Sequence, residues 1–223
     1  MFIIVLVISM GVPLLIQQWL KATYSKHSKI RNTGNLTGAD VAKAMLQANG
    51  INDVTVERVA GQLTDHYDPR AKAVRLSEGN YDQPSVAAMA VAAHEVGHAI
   101  QHNTAYGPLA ARTALLRPAQ IGQSIGPIMI MVGAAGFLGA LGNSVATLGI
   151  VLFAAAALFQ LVTLPIEFDA SRRALSQMKR LGLATDGDNS GSRKVLNAAA
   201  MTYVAGLAST VAWLIYYIAI SRD

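Results

Sequence analysis

The sequence contains no cysteine. That absence excludes disulfides and every thiolate metal site, so any metal must be held by His, Asp or Glu. It says little about compartment. Charge is scarce as well. Only 14% of residues are Asp, Glu, Lys or Arg, against 52% hydrophobic, which is too oily for an ordinary soluble domain and points to membrane spans. The long apolar runs hold no Asp, Glu, Lys or Arg within their cores, so a transporter-like ion pathway lacks its usual residues. Basic residues exceed acidic ones to give a net charge of +5, but they are scattered over loops beside apolar segments. Contact with lipid headgroups and a cytoplasmic orientation account for them better than nucleic acid does.

Against this background one stretch stands out, His94-Glu95-Val96-Gly97-His98. Positions four apart on a helix lie on the same face, one turn above each other. His94 and His98 can therefore aim two imidazole nitrogens at one zinc ion, at about 2.0–2.1 Å. Glu95, one position round, points beside the metal, where it can take a proton from a water that the metal activates. The bland alternative, two buried histidines and a paired Glu, is disfavoured in a helix otherwise made of Ala and Val, which offers them few partners. Gly97 between the histidines suggests close backbone approach, or simple tolerance of a small residue.

Along the chain, residues 1–20 form an apolar run without a basic n-region or a small-x-small cleavage site. Lys21, Lys26, Lys29 and Arg31 follow it, which favours an uncleaved transmembrane anchor with its N-terminus outside. Residues 21–118 read as a cytoplasmic part. Within it lie a capped helix from Thr37 to Gly50, a strand around Val54 and Val56, and strands at Leu63–Tyr67 and Lys72–Leu76 joined by a turn at Asp68-Pro69-Arg70. The metal helix follows, from near Asp82 and Pro84 to about His102. Residues 119–165 read as a transmembrane hairpin of two spans, Gln120–Leu141 and Ser144–Leu164, turning at Gly142-Asn143. Gly122/Gly126 and Ala135/Gly139 have spacing that suits close helix packing. Residues 166–194 read as a cytoplasmic charged helix closed by Gly182, followed by a flexible, solvated loop. Residues 195–220 form the last span, with Trp213, Tyr216 and Tyr217 as an interfacial belt. The expected fold is thus an α-helical membrane protein with four transmembrane helices and a small antiparallel sheet beside the metal helix.

A catalytic zinc usually has three protein ligands and a water. His102 lies about 12 Å from His94 along a straight helix, too far to share one ion with it. Gln101 and Thr104 stand where an HExxHxxGxxH pattern would need Gly and His. The remaining glutamates are Glu57, in a charged strand, Glu78, in a loop, and Glu167, which follows an apolar span directly.

Three separated motifs, HEVGH at 94–98, Leu63-Thr64-Asp65-His66-Tyr67-Asp68-Pro69, and Leu164-Pro165-Ile166-Glu167-Phe168-Asp169-Ala170-Ser171, resemble the YugP-like membrane zinc metallopeptidases over nearly the whole chain. More distantly the layout is similar to the HtpX-type and CAAX-prenyl membrane endopeptidases. The resemblance implies a zincin-like α+β catalytic domain of gluzincin type facing the cytoplasm, with His94, His98 and Glu167 on Zn2+. In that wider group an Asp four residues after the ligand Glu supports a histidine; here that place is Ser171.

Helix geometry also favours Glu167 over Asp169. Residues two apart differ by about 200°. With Glu167 towards the metal, the small Ala170 and Ser171 share its face, whereas Asp169 would bring Arg172 and Arg173 against the cation. The expected protein is therefore a multi-pass zinc endopeptidase of the plasma (inner) membrane, with Glu95 as general base and both termini outside. It would act on membrane or membrane-proximal protein or peptide substrates, and its partners would be these and the lipid bilayer. His66, Tyr67 and Tyr203 are candidates for oxyanion or substrate contacts, and the hairpin Leu63–Leu76 for the edge strand that pairs with an extended substrate. The rival reading is a catalytically silent membrane scaffold that keeps the metal site, although a scaffold has no need of Glu95.

Overall fold

The computed structural model describes residues 1–136 and 138–221. The chain divides into two compact units. The apolar unit comprises Met1–Gln17, Gly107–Pro165 and the chain from Met201 onward; the other comprises Gln18–Tyr106 and Ile166–Ala200.

The apolar unit is built from helices α1 (Phe2–Ser28), α5 (Gly107–Ala134), α6 (Gly142–Arg180) and α7 (Asp186–Ile220), of which α1, α6 and α7 run on into the second unit. Among the described residues three helices are long and apolar enough to cross a membrane: Phe2–Ser28, Gly139–Arg180 and Asp186–Ile220. The fourth expected span, Gln120–Leu141, is helical only to Ala134. The apolar residues after Ala134 leave the helix, and the stretch that remains carries Arg117, Gln120 and Gln123. The chain reversal comes earlier than Gly142-Asn143. It falls at Ala135–Gly136, where Gly136 takes a φ of 76°, and a short 3-10 turn at Gly139–Leu141 leads into α6; Phe137 lies outside the described residues. The small-residue spacing does its expected work at Gly126, where a Cβ would meet the Gly149 carbonyl oxygen of α6 at 2.9 Å. Ala135 and Gly139 lie in the turn. Near the C-terminal end of α7, Trp213 stacks on Tyr217 with ring centroids 5.5 Å apart.

The second unit starts with the end of α1 and with α2 (Gly38–Ala48), whose N-terminus is closed by the expected reciprocal cap between Thr37 and Asp40. Val41, Ala42, Met45 and Leu46 on one face of α2 enter the core. Strands β1 (Thr55–Val59), β2 (His66–Asp68) and β3 (Ala73–Ser77) form a sheet in the order β1-β3-β2. It is mixed rather than antiparallel: β2 pairs antiparallel to β3, but β1 pairs parallel to it. β3 is the most apolar strand, with Ala73, Val74 and Leu76 fully buried, so it takes the middle. β2 occupies one of its edges through the tight hairpin. The connection from β1, about a dozen residues, is long enough to bring β1 in parallel on the other. The free edges are β1 and β2, and Val74 is internal.

A short helix, α3 (Glu78–Tyr81), precedes α4 (Val86–Asn103), whose first turn is capped by Ser85 accepting from the Ala88 N–H at 3.1 Å. α4 is buried nearly all round, as its Ala/Val composition predicts.

Two expectations about the next segment are corrected. Helix α6 does not restart after Pro165 but runs unbroken through it to Arg180, where Gly182 at a φ of 67° ends it. A proline costs a helix one hydrogen bond, which neighbouring helices can offset in an apolar bundle. The segment 182–192 is not a loop throughout: α7 begins at Asp186. Thr185 and Asp188 cap that start reciprocally, Asp188 Oδ2 accepting from the Thr185 N–H at 3.1 Å and Thr185 Oγ1 accepting from the Asp188 N–H at 3.3 Å. Asp188 also accepts from the Thr33 N–H.

Candidate metal centre

His94, Glu95 and His98 lie in the middle of α4, and Glu167 lies on α6 one residue past the buried Ile166. The two imidazole rings stand edge to face with centroids 4.7 Å apart. Their Nε2 atoms are 3.2 Å from each other, and Glu167 Oε2 lies 3.3 Å from His94 Nε2 and 3.6 Å from His98 Nε2. Ligands about 2.05 Å from a tetrahedral zinc ion stand about 3.3 Å apart, so the three atoms have the spacing of one face of such a site. Glu167 Oε2 is buried without a hydrogen-bond partner, a costly state for a carboxylate unless a cation joins it. Burial, the largest influence on the His98 imidazole, pulls its pKa down; Glu167, Glu95 and Gln101 outweigh it and raise the group above its ordinary value. The carboxylates thus favour positive charge at this point. His94, His98 and Glu167 are a group that could hold a metal ion, and the donor set of two imidazoles and a carboxylate suits zinc.

Packing sets Glu167 and Asp169 in different surroundings. Asp169 faces away from the imidazoles, where Arg172 and Arg173 both bind its carboxylate, Arg173 Nε at 2.5 Å. On the Glu167 side, α6 approaches α4 so closely that a Cβ on Gly97 would meet the Ala170 carbonyl oxygen at 2.6 Å. Gly97 is therefore required by close approach. Ser171 Oγ sits 3.1 Å from His94 Nδ1. Glu95 is buried, with 8% of its surface exposed.

The sequence did not single out Gln101, which lies beside His98. This glutamine is fully buried, its Oε1 lies 3.0 Å from His98 Nδ1, and its Nε2 donates to the Ile166 carbonyl at 2.8 Å and to Asp169 Oδ2 at 3.0 Å. Its position three residues after His98 on the same helix was the only available signal.

His66 and Tyr67 pair with other groups. His66, on the edge strand β2, pairs through Nδ1 with the Thr64 carbonyl at 2.8 Å. The Tyr67 hydroxyl pairs with His102 Nδ1 at 2.9 Å, near the end of α4. Tyr203 belongs to the apolar unit and lines a cleft there with Arg112, Phe159 and Gln160. The acidic residues of the 63–69 motif shape the hairpin. Asp65 accepts from Ser77 and Asn80, and Asp68 accepts from the Arg70 and Ala71 N–H groups and from Arg75.

Comparison with known proteins agrees with this chemistry. The sequence matches, over residues 2–222, the family described as "Putative neutral zinc metallopeptidase". It is 42% identical over 205 residues to the protein named "Putative membrane protease YugP" of Bacillus subtilis (strain 168), covering 92% of this chain and 89% of that protein. No solved structure matches.

Proposed function

This chain belongs to the neutral zinc metallopeptidase family, and from that premise we propose that it is a membrane-embedded zinc endopeptidase with its metal on His94, His98 and Glu167. The observation that carries the reading is the convergence of three donor atoms, His94 Nε2, His98 Nε2 and the otherwise unpartnered Glu167 Oε2, at separations of 3.2–3.6 Å. Zinc held there would supply polarisation of a water and of the scissile carbonyl. Glu95, beside His94 on α4, takes the proton that the attacking water loses and returns it to the leaving amine nitrogen. Ser171 and Gln101 hold the two imidazoles from behind. Of the two free edges, β1 and β2, an extended substrate adds by main-chain pairing to β2, the one that packs against the metal helix α4.

The long apolar helices support a substrate in or next to the bilayer. We place α5 in the membrane with α1, α6 and α7, as a four-span protein whose basic segments Lys21–Arg117 and Arg172–Lys194 face the cytoplasm. The test is metal analysis of the purified full-length protein together with cleavage of an unfolded test protein. One zinc per chain with cleavage abolished by Glu95→Gln supports the peptidase. One zinc per chain without cleavage assigns the silent scaffold instead.

A further inference from the structure

Gln101 occupies an unusual position, because all its polar atoms are committed and only one orientation of its amide satisfies them. Its Nε2 faces two groups that can only accept, the Ile166 carbonyl at 2.8 Å and the Asp169 carboxylate at 3.0 Å. Turning the amide over would set its oxygen against both. Asp169 cannot swing aside, because Arg172 and Arg173 bind its two oxygens. The amide oxygen must therefore face His98 Nδ1, at 3.0 Å, and an oxygen there accepts only from a protonated Nδ1. A proton fixed on Nδ1 leaves Nε2 as the ligating nitrogen, on the side of His94 and Glu167. His94 has no such constraint, since the Ser171 hydroxyl at its Nδ1 can either donate or accept.

The same amide also fixes the other half of the site. Ile166 and Asp169 flank Glu167 on α6, and both are held to α4 through this one side chain, which is fully buried. We infer that Gln101 is the positioning residue that assembles the metal centre, selecting the ligating nitrogen of His98 and setting the register of Glu167 against it, with Asp169, Arg172 and Arg173 as its anchor. The inference rests on the reading of His94, His98 and Glu167 as zinc ligands, but not on cleavage. Groups that orient metal-bound histidines commonly contribute 10- to 100-fold to metal affinity. Gln101 holds two elements at once and belongs at the upper part of that range.

The test measures zinc affinity of the full-length protein by chelator competition, independently of turnover, alongside the melting temperature of the zinc-free protein. Gln101→Met keeps the length of the side chain and removes its hydrogen bonds; it should weaken zinc about 10- to 100-fold. Ser171→Ala should weaken it by a smaller factor. Asp169→Ala leaves His98 and all three ligands untouched but frees one side of the amide. It should weaken zinc a few-fold, and it decides the matter if Gln101→Met fails to fold. A lower melting temperature with unchanged zinc affinity in these variants would mean ordinary core packing and overturn the inference. Wild-type protein that binds zinc but cleaves nothing defeats the peptidase reading and leaves this inference to be judged on affinity. Wild-type protein that binds no zinc defeats both.

Discussion

Gly97 and Ala170 are in backbone contact: a Cβ at Gly97 would lie 2.6 Å from the Ala170 carbonyl oxygen. This places α4 and α6 at the separation at which Glu167 reaches the imidazoles of His94 and His98. Gly97→Ala forces that oxygen away. Overpacking of this kind costs about 1–3 kcal/mol, and the displacement falls on the ligand geometry. A lowered melting temperature together with weakened zinc binding is expected. Calorimetry and chelator competition on the same preparation check it, and an unaffected zinc affinity would show that the helices can part without disturbing the site.

Glu167→Ala should remove zinc and activity together, because its carboxylate oxygen lies 3.3 Å from His94 Nε2 and 3.6 Å from His98 Nε2. Asp169→Ala should keep most of the metal, since Asp169 turns to Arg172, Arg173 and Gln101. Metal content of the two purified variants separates the roles. Zinc lost from the Asp169 variant and retained by the Glu167 variant would transfer the ligand.

Glu95→Gln should retain zinc and lose about 10²- to 10⁴-fold in turnover, the usual contribution of a positioned proton acceptor. An amide preserves the size of the side chain but cannot take the proton. Steady-state kinetics at full zinc occupancy read this out, and near-normal turnover would remove Glu95 from the reaction.

Val74→Pro should destabilise the second unit as a whole. Val74 is fully buried on the central strand, paired to Val56 on one side and Tyr67 on the other. Proline removes a ladder hydrogen bond there, and the buried group it leaves unpaired costs about 1–3 kcal/mol. A folded variant with a normal melting temperature would contradict the sheet order.

The lack of native cysteine makes topology directly measurable. Single substitutions Asn143→Cys and Asp186→Cys introduce the only thiols in the chain. In the four-span arrangement an impermeant reagent applied from outside labels the first and not the second. The reverse pattern would invert the orientation.

Much of the site was legible in the sequence because it rests on local periodicity. The repeat of four residues between His94 and His98 needs only a helix to bring the two rings to one face. The Glu167 helix could be oriented by asking which neighbours, Ala170 and Ser171 or Arg172 and Arg173, would tolerate a nearby cation. The cap at Thr37 and Asp40 and the stop at Gly182 are likewise written in short-range chemistry.

What the sequence could not supply depends on partners distant along the chain. The parallel pairing of β1 followed from burial of β3, which alternation alone does not rank. The passage of α6 through Pro165 depends on its surroundings, since a local rule would end the helix there. The start of α7 at Asp186 was in fact encoded locally, in the Thr185 and Asp188 cap, but was hidden by a composition that looks like a loop. The role of Gln101 was decided by tertiary structure alone. Its three partners are His98 on its own helix and Ile166 and Asp169 some 65 residues away. A glutamine by itself has no preferred orientation until a carbonyl and a carboxylate are brought against it.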